Sequence, residues 1–179
     1  MKAINLMTEH LINPIGIDFQ HPVLMWNCES GKEQSAYRIV ARSEGKTVWD
    51  SGKVLSADMY VPYPDKLASR QRIEWAVTVW DESDIAGETA LAYFEMGLLS
   101  PDDFKARWIT GNYKVNKKTR YPVDCFKKVF SVESVQKARL YITACGLYEA
   151  RLNGEKVGNF CLAPGHTDTQ SVYSSRHMT

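Results

Sequence analysis

The chain has 179 residues, 44% hydrophobic and 24% charged, with a formal net charge of +1. Those values fit a folded protein and exclude disorder, collagen and coiled coil; without a surplus of Lys and Arg a general nucleic-acid binder is excluded too. Five Trp, nine Tyr and six Phe supply enough apolar bulk for one large core or two small ones.

Residues 1–16 hold a single Lys, no continuous apolar run and no small-residue cleavage site, so they do not read as a secretory signal. No run approaches the roughly 20 apolar residues of a membrane span. From there the dominant period is two. Short strands are predicted at 23–27, 47–50 and 59–61. In 35–42, Tyr37, Ile39 and Ala41 oppose Arg38 and Arg42. In 72–80, Ile73, Trp75, Val77 and Val79 share one face, against Arg72, Glu74 and Thr78. In 89–96, Ala90, Ala92, Phe94 and Met96 do the same. Turn residues separate the strands: Ser30-Gly31, Glu44-Gly45, Ser51-Gly52, Pro62 to Pro64 and Ala86-Gly87. This spacing predicts a β-sandwich, with Trp26, Trp49 and Trp75 in its core.

After Gly97, Ser100 reads as an N-cap with Pro101 behind it and Asp102-Asp103 near the helix dipole, predicting one or two helical turns through Ala106. A polar, basic stretch runs from Gly111 to Pro122. Strands are predicted again at 125–132, 138–145 and 147–152. Asn153-Gly154 predicts a type I′ hairpin between 149–152 and 155–159. The stretch from Leu98 to Thr179 is shorter than the ~100 residues a sandwich usually takes, so the second unit reads as incomplete.

Chemistry-bearing motifs are sparse. There is no phosphate-binding glycine loop, no nucleophile elbow and no HExxH, and no cofactor is implied. His10, His21, His166 and His177 are isolated from one another and read as loop or surface residues. Cys28, Cys125, Cys145 and Cys161 lack metal-ligand spacing and read as reduced, core-like thiols, with a Cys145–Cys161 disulfide as the alternative. No sequon is present, and together these features point to the cytoplasm. Asp81, Glu82 and Asp84, like Asp102 and Asp103, read as solvated loop charges rather than a catalytic pair. Lys114, Lys117, Lys118 and Arg120, with Lys127 and Lys128 beyond and Tyr113 and Tyr121 interleaved, have the composition of a single-strand nucleic-acid groove. The balanced charge elsewhere favours a solvated loop. Trp80, Trp108 and Tyr113 are the candidates for stacking on sugar rings.

Several segments in order carry a family resemblance. They are Asn13-Pro14-Ile15-Gly16-Ile17, Ala36-Tyr37-Arg38-Ile39, Val48-Trp49-Asp50-Ser51-Gly52-Lys53-Val54, Glu74-Trp75 and Val79-Trp80-Asp81. Phe94-Glu95-Met96-Gly97-Leu98-Leu99, Ala106-Arg107-Trp108-Ile109 and the run from Ala138 to Glu149 come next, then Leu152-Asn153-Gly154 and Leu162-Ala163-Pro164-Gly165-His166-Thr167-Asp168. Together they resemble the N-terminal region of bacterial α-L-rhamnosidases, inverting glycoside hydrolases that remove terminal L-rhamnose. The resemblance implies an all-β chain, with a fibronectin type III-like sandwich over 1–96 and part of a galactose-binding or jelly-roll-like sandwich over 97–179. It places the acid and base in an (α/α)₆ barrel further along the enzyme, so no catalytic residue is carried over. The expectation is a non-catalytic accessory portion of such an enzyme. The alternatives are a stand-alone carbohydrate-binding module and an assembly module, dimeric or domain-swapped through 98–179. Rhamnose-containing glycans are the expected partner; nucleic acid and membrane are not.

Overall fold

The computed structural model describes residues 1–114, 116 and 118–164, and the backbone of 176–178. The architecture is all-β, with one short 3₁₀ turn among the described residues. Strands β1 (Lys2–Thr8), β3 (Val23–Glu29) and β6 (Tyr60–Pro62) form a three-stranded sheet in the order β1-β3-β6. Facing it are β2 (Ile15–Ile17), β4 (Gln34–Ser43), β5 (Lys46–Asp50), β7 (Arg72–Asp81) and β8 (Ala90–Met96), in the order β2-β8-β7-β4-β5. The pairings are antiparallel except β2 with β8, which is parallel.

The alternation read from the sequence sets what each face of the sheet does. Ile73, Trp75, Val77 and Val79 of β7, Tyr37, Ile39 and Ala41 of β4 and Phe94 and Met96 of β8 are all buried between the sheets. They meet Leu24 and Trp26 of β3, while Tyr63 stands edge-on to both Trp49 and Phe94. Each large side chain so buried contributes roughly 1.5–3 kcal/mol. Trp49 is only half-buried, at the margin of the core its sequence position predicted it would enter. One polar residue pins the interior. The Gln34 carbonyl accepts from Trp26 Nε1 at 2.9 Å and from the Cys28 thiol at 3.4 Å, and its amide donates to the carbonyls of Ser56 and Asp58. A buried amide with both ends satisfied fixes the 56–58 crossing instead of weakening the core.

Two strands were invisible in the pattern. β1 carries a register shift between Ile4 and Met7, with Asn5 at a positive φ of 50°, and a bulge of this kind breaks two-residue alternation. β2 has three residues and is defined by its partner rather than by its own periodicity.

The second half departs further. Ser100 does cap, in a reciprocal capping box with Asp103, but the helix ends at Asp103 instead of Ala106. The Asp103 carbonyl, which a continuing helix would need, accepts Arg70 Nη2 at 3.0 Å, and Phe104 leaves helical geometry. The predicted strand at 125–132 is absent, because alternation supplies a face but not a partner strand. The predicted 138–145 strand shrinks to β9 (Leu140–Ile142), which pairs antiparallel with β12 (Arg176–Met178). The hairpin forms with Asn153 and Gly154 both at positive φ, but its strands are only β10 (Arg151–Leu152) and β11 (Glu155–Lys156). One more bond, from Val157 N–H to the Ala150 carbonyl, extends it. The cysteines also depart from expectation. Cys28 is half-buried against the core, but Cys125, Cys145 and Cys161 are exposed, and all four are free thiols.

Among the described side chains, two anchors hold this half to the sandwich. Ser69 bonds to the Asp103 carboxylate and accepts the Leu99 N–H, while Arg70 lies 5.4 Å from the Tyr141 ring centre. The second anchor is ionic. Glu95, 2% exposed near the end of β8, accepts a two-pronged bond from Arg139 at 2.8 and 3.0 Å and a third from Lys137 at 2.7 Å. Burial pushes the Glu95 pKa up, but the bonds from Arg139 and Lys137 outweigh it, and the carboxyl sits below the usual glutamate range. A pKa depressed by folding adds stability above the unfolded value of about 4.3, and that stability is lost as pH falls through the folded value. Between about pH 5 and pH 3 the thermal midpoint of the native chain should therefore fall more steeply than that of Glu95→Gln. Parallel pH profiles would contradict the assignment.

Candidate functional site

The three aromatics proposed for sugar stacking have different surroundings. Trp80, near the end of β7, is half-buried rather than exposed, and the Lys53 ammonium lies 4.7 Å from its ring centre. Lys53 is in turn ion-paired to Asp84, and Trp80 bridges to Ala86, so the ring packs beside the turn that follows β7. Trp108 is 64% exposed on irregular backbone beyond the 3₁₀ turn. Tyr113, 43% exposed, stacks on Tyr121 with ring centres 4.8 Å apart and planes 17° from parallel. Its hydroxyl donates to Asp124 at 3.0 Å, and that bond, with burial and the Asp124 charge, raises its pKa. The structure thus joins Tyr113 to Tyr121 and Trp80 to Lys53. The basic residues that flank Tyr113 and Tyr121 in sequence, Lys114, Lys118, Arg120, Lys127 and Lys128, are exposed, while Lys117 lies outside the described residues.

Glycoside hydrolysis needs two carboxyls, one of them an acid whose pKa is raised enough to stay protonated. The described acids are arranged otherwise. Asp81 Oδ1 accepts the N–H groups of Ser83 and Ile85 and closes the turn after β7. Glu82 accepts the Lys32 N–H, Asp84 pairs with Lys53, and Asp103 belongs to the capping box. The carboxyls whose pKa clearly departs from its ordinary value all depart downward: Asp50 to about 2, and Glu82, Glu88, Glu95 and Asp103. For Asp50 the chief cause is its bond from Arg38, and for Asp103 its bond from Ser69. Each shift favours a charged acceptor, the opposite of what a proton donor needs. Among the described residues no group of three or more His, Cys, Asp or Glu is placed to hold a metal ion. His21 Nδ1 sits 3.0 Å from the Tyr63 carbonyl, and His10 is exposed; His166 and the side chain of His177 lie outside the described residues.

Sequence reasoning missed two features. One is the Glu95–Arg139–Lys137 cluster, whose partners lie 44 and 42 residues from Glu95 and so leave no local signal. The other is a shallow pocket of about 210 Å³ on the β8 side of the five-stranded sheet, lined by Asn13, Glu74, Leu91, Ala92 and Tyr93. Its residues come from three separate segments. Tyr93 and Glu74 are cross-strand neighbours, and Asn13 reaches them because its Oδ1 accepts the Tyr93 N–H at 2.9 Å. The Arg72 guanidinium lies 3.8 Å from the Tyr93 ring centre and 3.6 Å from the Glu74 carboxylate.

Comparison with known proteins gives a consistent picture. Residues 3–100 match the family model described as the Rha78A-like, N-terminal immunoglobulin domain, and residues 133–177 match the α-L-rhamnosidase N-terminal domain. An α-L-rhamnosidase of Alteromonas sp. is 36% identical over 179 residues, covering 89% of this chain and 20% of that protein. One from Formosa agariphila is 33% identical over 180 residues, covering 90% of this chain and 19% of the relative. Among solved structures, the native α-L-rhamnosidase of Aspergillus terreus superposes with a TM-score of 0.81 at 28% identity, over 98% of this chain and 21% of that one. The chain spans about a fifth of the length of the curated relatives it matches. It belongs to the family of Rha78A-like N-terminal immunoglobulin domains, and with its second domain match it corresponds to an N-terminal region of the α-L-rhamnosidases.

Proposed function

We propose that this chain is a non-catalytic accessory portion of an α-L-rhamnosidase-like glycoside hydrolase, a scaffold on which the hydrolytic part of such an enzyme packs. One observation carries the reading: both matched regions are N-terminal domains of enzymes about five times longer. The site chemistry supports it, since the loop acids serve turns, caps and ion pairs. Inverting hydrolysis calls for an acid and a base about 6.5–9.5 Å apart on opposite faces of a sugar, and this reading leaves both to the rest of the enzyme. The four free thiols, three of them exposed, support a reducing, cytoplasmic setting as part of the same proposal.

The region beyond Leu98 supplies a surface suited to packing. Val123 is 94% exposed and Val129 82%, with Ile109, Phe126 and Phe130 also well exposed. Apolar residues gathered on one irregular segment mark a contact surface more than a solvated one. In the isolated chain the same residues favour pairing with a second copy, the self-association through 98–179 that the sequence suggests.

Two measurements test these readings. Purified chain should give no turnover of p-nitrophenyl α-L-rhamnoside above the blank; turnover that disappears in Asp81→Asn or Asp84→Asn would overturn the accessory role. Light scattering at high concentration should give a mass above the 20.3 kDa of one chain, falling back toward it in a Val129→Ser/Phe130→Ser variant. A 20.3 kDa species at every concentration would remove the self-association proposal.

A further inference from the structure

We propose that the shallow pocket beside β8 is a monosaccharide site, and that its ligand is a 6-deoxyhexopyranose, a neutral sugar ring bearing a methyl group in place of hydroxymethyl. The choice of sugar rests on the rhamnosidase reading; the site itself rests on geometry. The pocket is open and shallow, about 210 Å³, so a ligand there lies on the surface and one ring covers it.

Its lining divides into an apolar wall and a polar rim. Leu91, 79% exposed, stands on the same face as Tyr93, while Ala92 between them turns its methyl to the core and lines the floor. An exposed leucine beside an aromatic ring has no role in the core, which lies on the opposite face of β8. A C–H face or a methyl group would cover both, and a hydroxymethyl there would lose its water without gaining a partner.

The rim supplies one acceptor and two kinds of donor. Glu74 is exposed and tied to Arg72 only at 3.6 Å, so its carboxylate can accept from neighbouring hydroxyls. Asn13 spends its Oδ1 on the Tyr93 N–H, which leaves its NH₂ to donate. Arg72 balances the Glu74 charge and occupies one face of Tyr93. A neutral ligand suits that pair better than an anion or a cation. Backbone groups add to the rim. Because the Tyr93 N–H points to Asn13 rather than across to β7, the Glu74–Tyr93 pair is a non-bonded one in the ladder. The Ala76–Leu91 pair, two residues along, is then of the same kind, so Leu91 also turns its N–H and C=O toward the pocket edge.

Titration of the isotope-labelled full chain with L-rhamnose, followed by amide chemical shifts, tests the site. L-mannose, which differs by carrying hydroxymethyl where rhamnose carries methyl, is the control. The proposal expects saturable shifts at Asn13, Glu74, Leu91 and Tyr93, with a dissociation constant on the order of 1–10 mM. It expects binding weaker by about fivefold or more for L-mannose and by about tenfold in Glu74→Gln. Leu91→Glu, at an exposed position that tolerates change, should abolish the shifts while leaving the spectrum folded. No shifts at up to about 100 mM rhamnose would overturn the site. Shifts confined to Trp108, Tyr113 and Tyr121 would also overturn it, by placing sugar binding on the 104–124 segment. Equal affinity for the two sugars would overturn the deoxyhexose assignment. None of these results bears on turnover of the rhamnoside, so the site and the accessory role can fail separately.

Discussion

A carboxylate removed from water must be matched by cations or it forfeits several kcal/mol of hydration, and Glu95 finds both matches outside its own sheet. This cluster is the ionic one among the ties between the well-built sandwich and the sparser chain beyond it. Its position explains its strength. The backbone N–H of Glu95 bonds to the Pro14 carbonyl, so the side chain starts from a strand fixed on both edges. Arg139 contributes a planar fork whose reach is fixed as well, and Lys137 adds a third contact from two residues away. Just beyond, β9 begins at Leu140. The cluster therefore sets where β9 can start, with Arg70 over Tyr141 as its second point of alignment.

The consequence for function is a division of labour inside one chain. The sandwich is over-determined: apolar faces on both sheets, a satisfied Gln34 in the middle, and turn acids bonded to backbone N–H groups. A frame of that kind can carry a binding patch on its outer face without disturbing its core, and the Asn13–Glu74–Tyr93 pocket occupies that position. The segment beyond Asp103 is built the other way. Among its described residues ladder bonds are few and exposed apolar side chains many. Support from the first part and contact from the second are the two properties an accessory region of a large hydrolase needs.

Much of the sandwich was legible from residue order, because a buried strand writes its period into the sequence. β4, β7 and β8 were read with the correct faces, and the Asn153-Gly154 turn was read with the correct backbone sign. What could not be read shares one cause: it depends on a partner distant in the chain. β1 is hidden by its bulge, β2 by its shortness, and the 125–132 stretch alternates without a strand to pair with in the described residues. The helix after Ser100 carried every local starting signal, yet Phe104 leaves helical geometry and the Asp103 carbonyl bonds to Arg70 instead of to a following turn. The site shows the same limit. Trp80, Trp108 and Tyr113 could be singled out as aromatics, but the pocket joins Asn13, Glu74 and Tyr93 through sheet pairing that no local motif encodes. Family membership was legible because it is carried by many weak segments in order rather than by any one of them.

Amide hydrogen exchange across the junction tests the central role of Glu95 most directly. In Glu95→Gln at neutral pH, the account predicts exchange faster by about tenfold or more at Leu140–Ile142, with β4 and β7 protected as in the native chain. Unchanged protection at Leu140–Ile142 would contradict it. An equal loss through β4 and β7 would contradict it too, making Glu95 a part of the sandwich core instead of the link between the sandwich and β9.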